Sequence, residues 1–339
     1  RAAAVLGLLL ISAGLLASPL NFKNLEQQIN ETKANAGLMS GTAVAVIKND
    51  KVIYLANFGF SDIKNNKPVT NDTAFYIASV TKPLVALNAL IDVDNGRINK
   101  NISLNNMFKQ LNVENVDEQA VTLKNLLIHT SGVNNIPLVL ATAFSGIHTK
   151  KTREQLVLHE SVPNTSGQGV FHYTNVGYNI YSIYADKFLK QSWQNNLQNT
   201  VFSPAKMTSS SAKRSSLESK NITIAKPYSV MVDSKGMPLY LEKTDQTMQA
   251  AGGVITTASD LAQFVVAQLN QGVIDGIQVF PKHIIKQSQQ KQIETEASYL
   301  DFKRDGYAWG WYTGEYKGKN LLHHFGGFAG AHSHVSFMP

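Results

Sequence analysis

The chain has 339 residues, 31 Lys and Arg against 24 Asp and Glu, a formal net charge of +7, and no cysteine. That length can bury a large core, in one big domain or two unequal ones. The lysines are scattered, with no basic stripe interleaved with aromatics, which argues against nucleic acid as a partner; the lack of cysteine excludes disulfides, thiol chemistry and a lipoprotein cysteine.

Arg1 is followed by an uncharged apolar run from Ala2 to Ala17 that ends in small residues. The run is shorter than the roughly 20 residues that span a bilayer. It follows a positive charge and closes on a cleavable stretch at Ala17 and Ser18, so residues 1–17 read as a secretory signal peptide. An exported protein, periplasmic or secreted, is therefore expected. The alternative is an uncleaved segment, and membrane contact is expected only through it.

Leu25 to Ala36 is polar and amphipathic. Two β-rich runs follow, Gly41–Lys48 and Lys51–Gly59, joined by Asn49-Asp50, the pattern of a hairpin. Pro68 to Thr73 reads as loop. A helix is expected from near Ser79 to Asn95-Gly96, with glycine suited to its C-terminus. From Asn101 to about Thr244 the pattern becomes helical pieces, Leu123–Ile128, Arg153–His159 and Tyr178–Leu189, between Gly, Asn, Ser and Pro loops. Ala251-Gly252-Gly253 then leads to a helix over Leu261–Leu269, with Ser259 expected as its N-cap. Strands return at Tyr307–Tyr312, Asn320–His324 and His332–Phe337. Strands at both ends with helices between them indicate an α+β fold: one lobe from 18–100 and 245–339, and a mostly helical lobe from 101–244.

The chemistry begins at Ser79-Val80-Thr81-Lys82-Pro83. A serine and a lysine three apart share one face of a helix, within reach of each other. Pro83 suits a first turn, which puts the Ser79 hydroxyl at the positive end of the helix dipole. The amine can act as base only if burial or a neighbouring cation keeps it neutral. Ser-x-x-Lys also arises by chance, and a serine at a helix start is often only a cap, so other residues must support the reading. Tyr173 and Asn175 stand two apart in a Gly-containing loop. A phenol beside a cation can be pushed toward phenolate and relay protons, while the carboxamide can bond both the lysine and a substrate amide. His324 precedes Gly326 and Gly327, glycines that let a substrate approach the backbone; the histidine could hold an anionic substrate group or donate to the tyrosine. For His129, in Leu127-Ile128-His129-Thr130-Ser131-Gly132, a structural role satisfying loop carbonyls is favoured. His323, His324, His332 and His334 invite a metal reading, since alternate residues on a strand share a face, but neither carboxylate nor cysteine accompanies them, so a zinc site is disfavoured. Gly-x-Ser-x-Gly, P-loop and dinucleotide fingerprints are lacking.

Taken together, Ser79-Val80-Thr81-Lys82, Tyr173-Thr174-Asn175 and His324-Phe325-Gly326, in this order, resemble the three motifs of the β-lactamase-related serine hydrolases, which include class C β-lactamases, D-alanyl-D-alanine carboxypeptidases, D-aminopeptidases and esterases. The likeness runs from about Gly41 to the end. It implies an antiparallel sheet flanked by helices plus a helical lobe, with the site between them. It also implies roles: Ser79 acylated, Lys82 and Tyr173 sharing the proton transfers, Asn175 orienting substrate, and the amides of Ser79 and Gly327 forming an oxyanion hole. No metal or cofactor is implied. The substrate would be a small molecule or peptide, including peptidoglycan-derived ones.

Two departures shape the expectation. His324 stands where β-lactamases carry lysine, as it does in many esterase and peptidase members. A D-Ala-type peptidase or esterase is therefore favoured over a class C-like β-lactamase, with a non-catalytic peptidoglycan- or peptide-binding member as the alternative of another class. The family also continues past Phe337-Met338-Pro339 into further strands and a helix, so the chain is expected to be a fragment.

Overall fold

The structure is a computed structural model and describes residues 21–339. The apolar run and the expected signal peptide lie outside the described residues. The chain opens on an exposed helix, α1 (Lys23–Asn35), and a hairpin of β1 (Thr42–Lys48) and β2 (Lys51–Phe58), with Thr42 opposite Phe58 and Lys48 opposite Lys51. Asn49 takes the left-handed conformation that its turn requires, φ 58°.

A short strand, β3 (Phe75–Tyr76), runs into a single tight turn, Ala78–Val80, and then α2 (Thr81–Asp94). Every residue of α2 from Thr81 to Asp92 is buried. A helix apolar on nearly all sides belongs in the middle of a large core, and α2 is that axis. Between residues 104 and 219 the elements are helices and two strands of two residues; they include a short helix, α3 (Leu123–Leu127), and the two longest, α4 (Lys150–Glu160) and α5 (Val176–Phe188). α5 is as deeply buried as α2 and packs on α3. Gly177 permits this, because a Cβ there would overlap the Leu126 carbonyl.

β4 (Ile255–Thr256) pairs with β3, and α6 (Ala258–Leu269) follows. The N-cap of α6 is Thr257, whose hydroxyl accepts the Asp260 amide at 3.1 Å, and not the expected Ser259. Thr257 has the extended backbone a cap needs, φ −82° and ψ 161°. Ser259 already lies inside the first turn, 2.9 Å from the Thr257 hydroxyl.

After α7 (Lys282–Gln289), which packs on α2, come the five strands of the main sheet. They are β5 (Ile293–Tyr299), β6 (Phe302–Tyr307), β7 (Tyr312–Tyr316), β8 (Lys319–Phe328) and β9 (Ala331–Phe337), an antiparallel meander in sequence order. The strand expected over Tyr307–Tyr312 is instead a reversal between β6 and β7. Gly310 turns the corner at φ 81° and lies against Pro83, where a Cβ would come within 2.6 Å of the proline Cα. β8 is also longer than expected, so His324 lies within the strand. The hairpin β1–β2 does not join this ladder among the described residues. It packs on α6, and a groove of about 470 Å³ separates β1 from the edge strand β9.

β8 positions the site because its backbone lies directly against the Ile77–Ser79 turn. A Cβ on Gly326 would overlap the Ile77 carbonyl oxygen, which also accepts the Ser333 hydroxyl at 2.6 Å. Gly327 has open space, with its nearest neighbour 3.9 Å away. Gly326→Ala is therefore expected to cost about 1–3 kcal/mol of unfolding free energy as β8 is pushed off the turn, and Gly327→Ala much less. Urea unfolding of the two variants tests this; equal losses would mean that β8 does not rest on the turn.

Candidate active site

Ser79 sits in the tight turn, two residues before the start of α2, and is half-buried. Ala78 before it has φ 44°, a left-handed conformation that a residue with a Cβ takes only under constraint. The constraint is visible. The Ile77 amide donates to the Val254 carbonyl at 3.1 Å, and the Val254 amide donates to the Thr81 hydroxyl at 3.0 Å. The far end of α2 is held by a buried polar cluster in which Asn196 donates to Asp92 Oδ2 at 2.6 Å and to Asn88 Oδ1 at 3.1 Å, while Arg97 pairs with Asp92.

Lys82 is one turn on and fully buried. Its Nζ lies 2.9 Å from Asn175 Oδ1, 2.7 Å from the Ala251 carbonyl and 3.0 Å from Ser79 Oγ. The first two are acceptors only and take two N–H bonds. The remaining direction faces the Ser79 hydroxyl, which can donate to the amine or accept from it. Burial pushes the amine well below the ordinary lysine range, and the neutral amine aims its lone pair at the Ser79 hydroxyl. That is the arrangement of a general base and its nucleophile.

Tyr173 lies beside Ser79, with its ring centre 4.9 Å from Lys82 Nζ. It is 36 % exposed. Burial of the phenol oxygen, with a smaller contribution from Tyr312, raises its pKa above the ordinary range, outweighing the lowering influences of Ser79 and Arg304. The expected shift toward phenolate is thus reversed. Tyr173 is a neutral phenol able to donate, because Lys82, the cation that would stabilise a phenolate, is itself driven neutral.

Behind Tyr173 runs a chain of buried rings. His324 Nδ1 lies 2.7 Å from the Phe325 carbonyl, so it carries the proton and donates. Nε2 is then an acceptor, and Tyr307 Oη, 3.4 Å away, donates to it. Tyr307 in turn accepts from His129 Nε2 at 3.3 Å, and His129 Nδ1 accepts the Thr174 amide at 3.4 Å. Both histidines are buried, and desolvation lowers their pKa well below the ordinary value. His324 is 1 % exposed with both nitrogens engaged, and its ring lies 5.9 Å from that of Tyr173. This geometry leaves it no free donor for a substrate anion. His129 packs edge and face on Phe171, Tyr173, Tyr178 and Tyr307 and meets a side-chain hydroxyl and an amide in place of loop carbonyls.

The structure therefore brings Ser79, Lys82, Tyr173 and Asn175 into one cluster, with His324 beneath it and Gly326 and Gly327 beside it. The sequence profile of the β-lactamase family matches residues 22–339. The chain belongs to the β-lactamase family. Protein flp of Staphylococcus aureus (strain NCTC 8325 / PS 47) is 23 % identical over 324 residues, covering 93 % of this chain and 61 % of that protein; the chain thus spans about three fifths of that relative's length. Among solved structures, the octameric penicillin-binding protein homologue from Pyrococcus abyssi superposes with a TM-score of 0.79 at 20 % identity, covering 94 % of this chain and 71 % of that one. The D-amino acid amidase from Ochrobactrum anthropi SV3 gives 0.70 at 16 %, covering 94 % and 91 %. The fold is that of the β-lactamases and penicillin-binding proteins, an α+β fold, and members of this family are serine hydrolases.

Three participants are missing from the sequence reading. Ala251 contributes only a carbonyl, Tyr307 only a link between two histidines, and Arg304 stacks on Tyr312 with its guanidinium carbon 3.6 Å from the ring centre, close enough to Tyr173 and His324 to bias both. None carries a motif; the Ala251-Gly252-Gly253 turn is the one local signal. Among the described residues, no three His, Cys, Asp or Glu side chains form a group that could hold a metal ion. His323 is instead buried among Phe302, Tyr312 and Phe325 with neither ring nitrogen bonded.

Two pH effects follow. A fluorophosphonate should phosphonylate Ser79, with loss of fluoride, at a rate that rises as Lys82 deprotonates and levels off well before the pH of about 10.4 at which an exposed lysine would do so. A rate still climbing at pH 10 would mean a charged resting lysine. Burial lowers His323 to about 3, whereas in the unfolded chain it titrates near about 6.5. Between these values the unfolded state binds more protons, so stability should fall as pH drops from about 6.5. His323→Phe should flatten the fall in melting temperature between pH 7 and pH 5; an unchanged slope would remove His323 from the account.

Proposed function

We propose that this chain is an exported serine hydrolase that cleaves an amide or ester bond through an acyl-enzyme on Ser79. The observation that carries the reading is Lys82 Nζ, tied to two carbonyl oxygens and left with one direction, toward Ser79 Oγ. The hydroxyl attacks the substrate carbonyl while its proton passes to the neutral amine. Tyr173 donates a proton to the leaving nitrogen or oxygen, and Lys82 returns one to Tyr173. Water then attacks the ester on Ser79, giving up its proton along the same route, and the acid leaves. The amides of Ser79 and Gly327 would hold the developing oxyanion, and Asn175 would orient the substrate as well as the lysine.

Within this class a peptidase or esterase acting on D-alanyl-type amides or short esters is favoured over a β-lactamase. His324 is buried and neutral, so it gives the carboxylate of a penicillin no charge to bind. A substrate carboxylate would instead have to meet Arg304, whose Nε is buried without a hydrogen-bond partner. The D-amino acid amidase among the structural neighbours supports the amide reading, as a likeness of fold.

A fluorescent fluorophosphonate should label the protein, with the adduct located to Ser79 by mass spectrometry. Ser79→Ala should abolish labelling, and Lys82→Met should slow turnover by at least about a hundredfold. Persistent labelling of Ser79→Ala would sink the mechanism. Turnover of a D-amino acid amide, a p-nitrophenyl ester and nitrocefin ranks the substrate classes. Arg304→Gln should raise KM about ten- to a hundredfold for carboxylate-bearing substrates and leave the neutral ester unaffected; an equal change on both would show that Arg304 does not read the carboxylate.

A further inference from the structure

A second cavity, of about 600 Å³, lies behind β3, and none of Ser79, Lys82, Tyr173 or Asn175 lines it. Its volume is in the range of small-molecule sites. Ile224, Leu239, Leu241 and Phe328 give it apolar walls, and Lys243 and Tyr76 face it together. Lys243 is 6 % exposed, and its amine has one hydrogen-bond partner among the described residues, the Thr244 carbonyl at 3.2 Å. The Tyr76 hydroxyl is buried with no partner, and the Tyr76 ring centre is 5.6 Å from Lys243 Nζ.

Three other charged side chains at the cavity, Arg214, Lys226 and Asp233, are occupied. Arg214 bonds Glu218 and Glu242 and donates to the Lys243 carbonyl. Lys226 pairs with Asp62 at 3.0 Å, and Asp233 accepts both the amide and the hydroxyl of Ser40. What remains is the Lys243 amine and the Tyr76 hydroxyl, two donors at the wall of a largely apolar chamber that His332 also lines. Buried donors without acceptors are costly, and a ligand that supplies a pair of oxygens on an apolar body would relieve both.

We propose that this cavity is a second ligand site for a small organic monocarboxylate, whose oxygens accept from Lys243 Nζ and Tyr76 Oη and whose apolar part lies against Ile224, Leu239 and Phe328. The site does not depend on the chemistry at Ser79. Burial lowers Lys243 to about 7, with Asp245 raising it and Arg214 lowering it. Tyr76 from β3, Arg214 from the helix Arg214–Ser219, and Glu242 and Asp245 flanking the lysine are the titratable groups closest to it. A bound carboxylate favours the charged amine, so binding above pH 7 draws a proton from solvent.

Isothermal titration of the full chain with phenylacetate and with phenylacetamide, at pH 8 in two buffers of different ionisation enthalpy, tests the proposal. Phenylacetate is expected to bind one to one with uptake of up to one proton, and phenylacetamide much more weakly. Lys243→Met should weaken phenylacetate about ten- to a hundredfold, Tyr76→Phe should weaken it less, and saturating phenylacetate should leave the rate of fluorophosphonate labelling at Ser79 unchanged. Three results would each overturn the site: no binding at millimolar phenylacetate, binding that survives both substitutions, or phenylacetate that slows labelling and so occupies the catalytic cluster. Failure of Ser79 to label at all would count against the hydrolase reading and leave the calorimetry to decide the cavity.

Discussion

A buried lysine without a carboxylate sets the terms for the whole site. Removing an ammonium from water without an ion-pair partner is so unfavourable that the group gives up its proton instead. Lys82 is enclosed by α2, by the start of α5 and by the Ala251 turn, and the partners it finds there are carbonyl oxygens. They fix two of its hydrogens without restoring its charge. The neutral amine needed to accept the Ser79 proton is therefore a consequence of where the helix lies, and every contact that holds α2 in the core also maintains the base.

Those contacts come from distant parts of the chain. The turn before α2 is clamped by Val254, its flank rests on Gly326 of β8, and Pro83 meets Gly310 at the β6–β7 corner. At two of these places a glycine lets backbone approach backbone where any side chain would intrude. The left-handed Ala78 can be tolerated because the clamp is stiff on both sides, with strain at the nucleophile offset by packing elsewhere.

The ring chain beneath Tyr173 extends the same logic. Thr174, His129, Tyr307, His324 and the Phe325 carbonyl form a line in which each donor has an acceptor. A neutral, fully bonded line can be buried at little cost, whereas a charged histidine within it would lack a counter-ion. It ties Tyr173's own loop, through the Thr174 amide, to β6 and β8. His324, expected from the sequence to be a substrate ligand, is thus engaged in holding the floor of the site.

Much of this was legible in the sequence because it is local. Ser79 and Lys82 are three apart on a helix, so their proximity needs only the helix. The hairpin at Asn49-Asp50 and the strands at the C-terminus follow from turn chemistry and alternation, and the three spaced motifs marked the family. The rest was decided by tertiary structure. Whether Lys82 is charged depends on burial by segments up to 169 residues away, and the same burial reversed the expected state of Tyr173. Gly310 turned one aromatic run into two strands, because a glycine pressed on Pro83 and a glycine inside a strand look alike in sequence. Lys243 reads as one scattered lysine among many until the fold encloses it beside Tyr76. Spacing along the chain specifies which groups can meet locally; desolvation and pairing across the core specify their charge, and no short-range pattern records those.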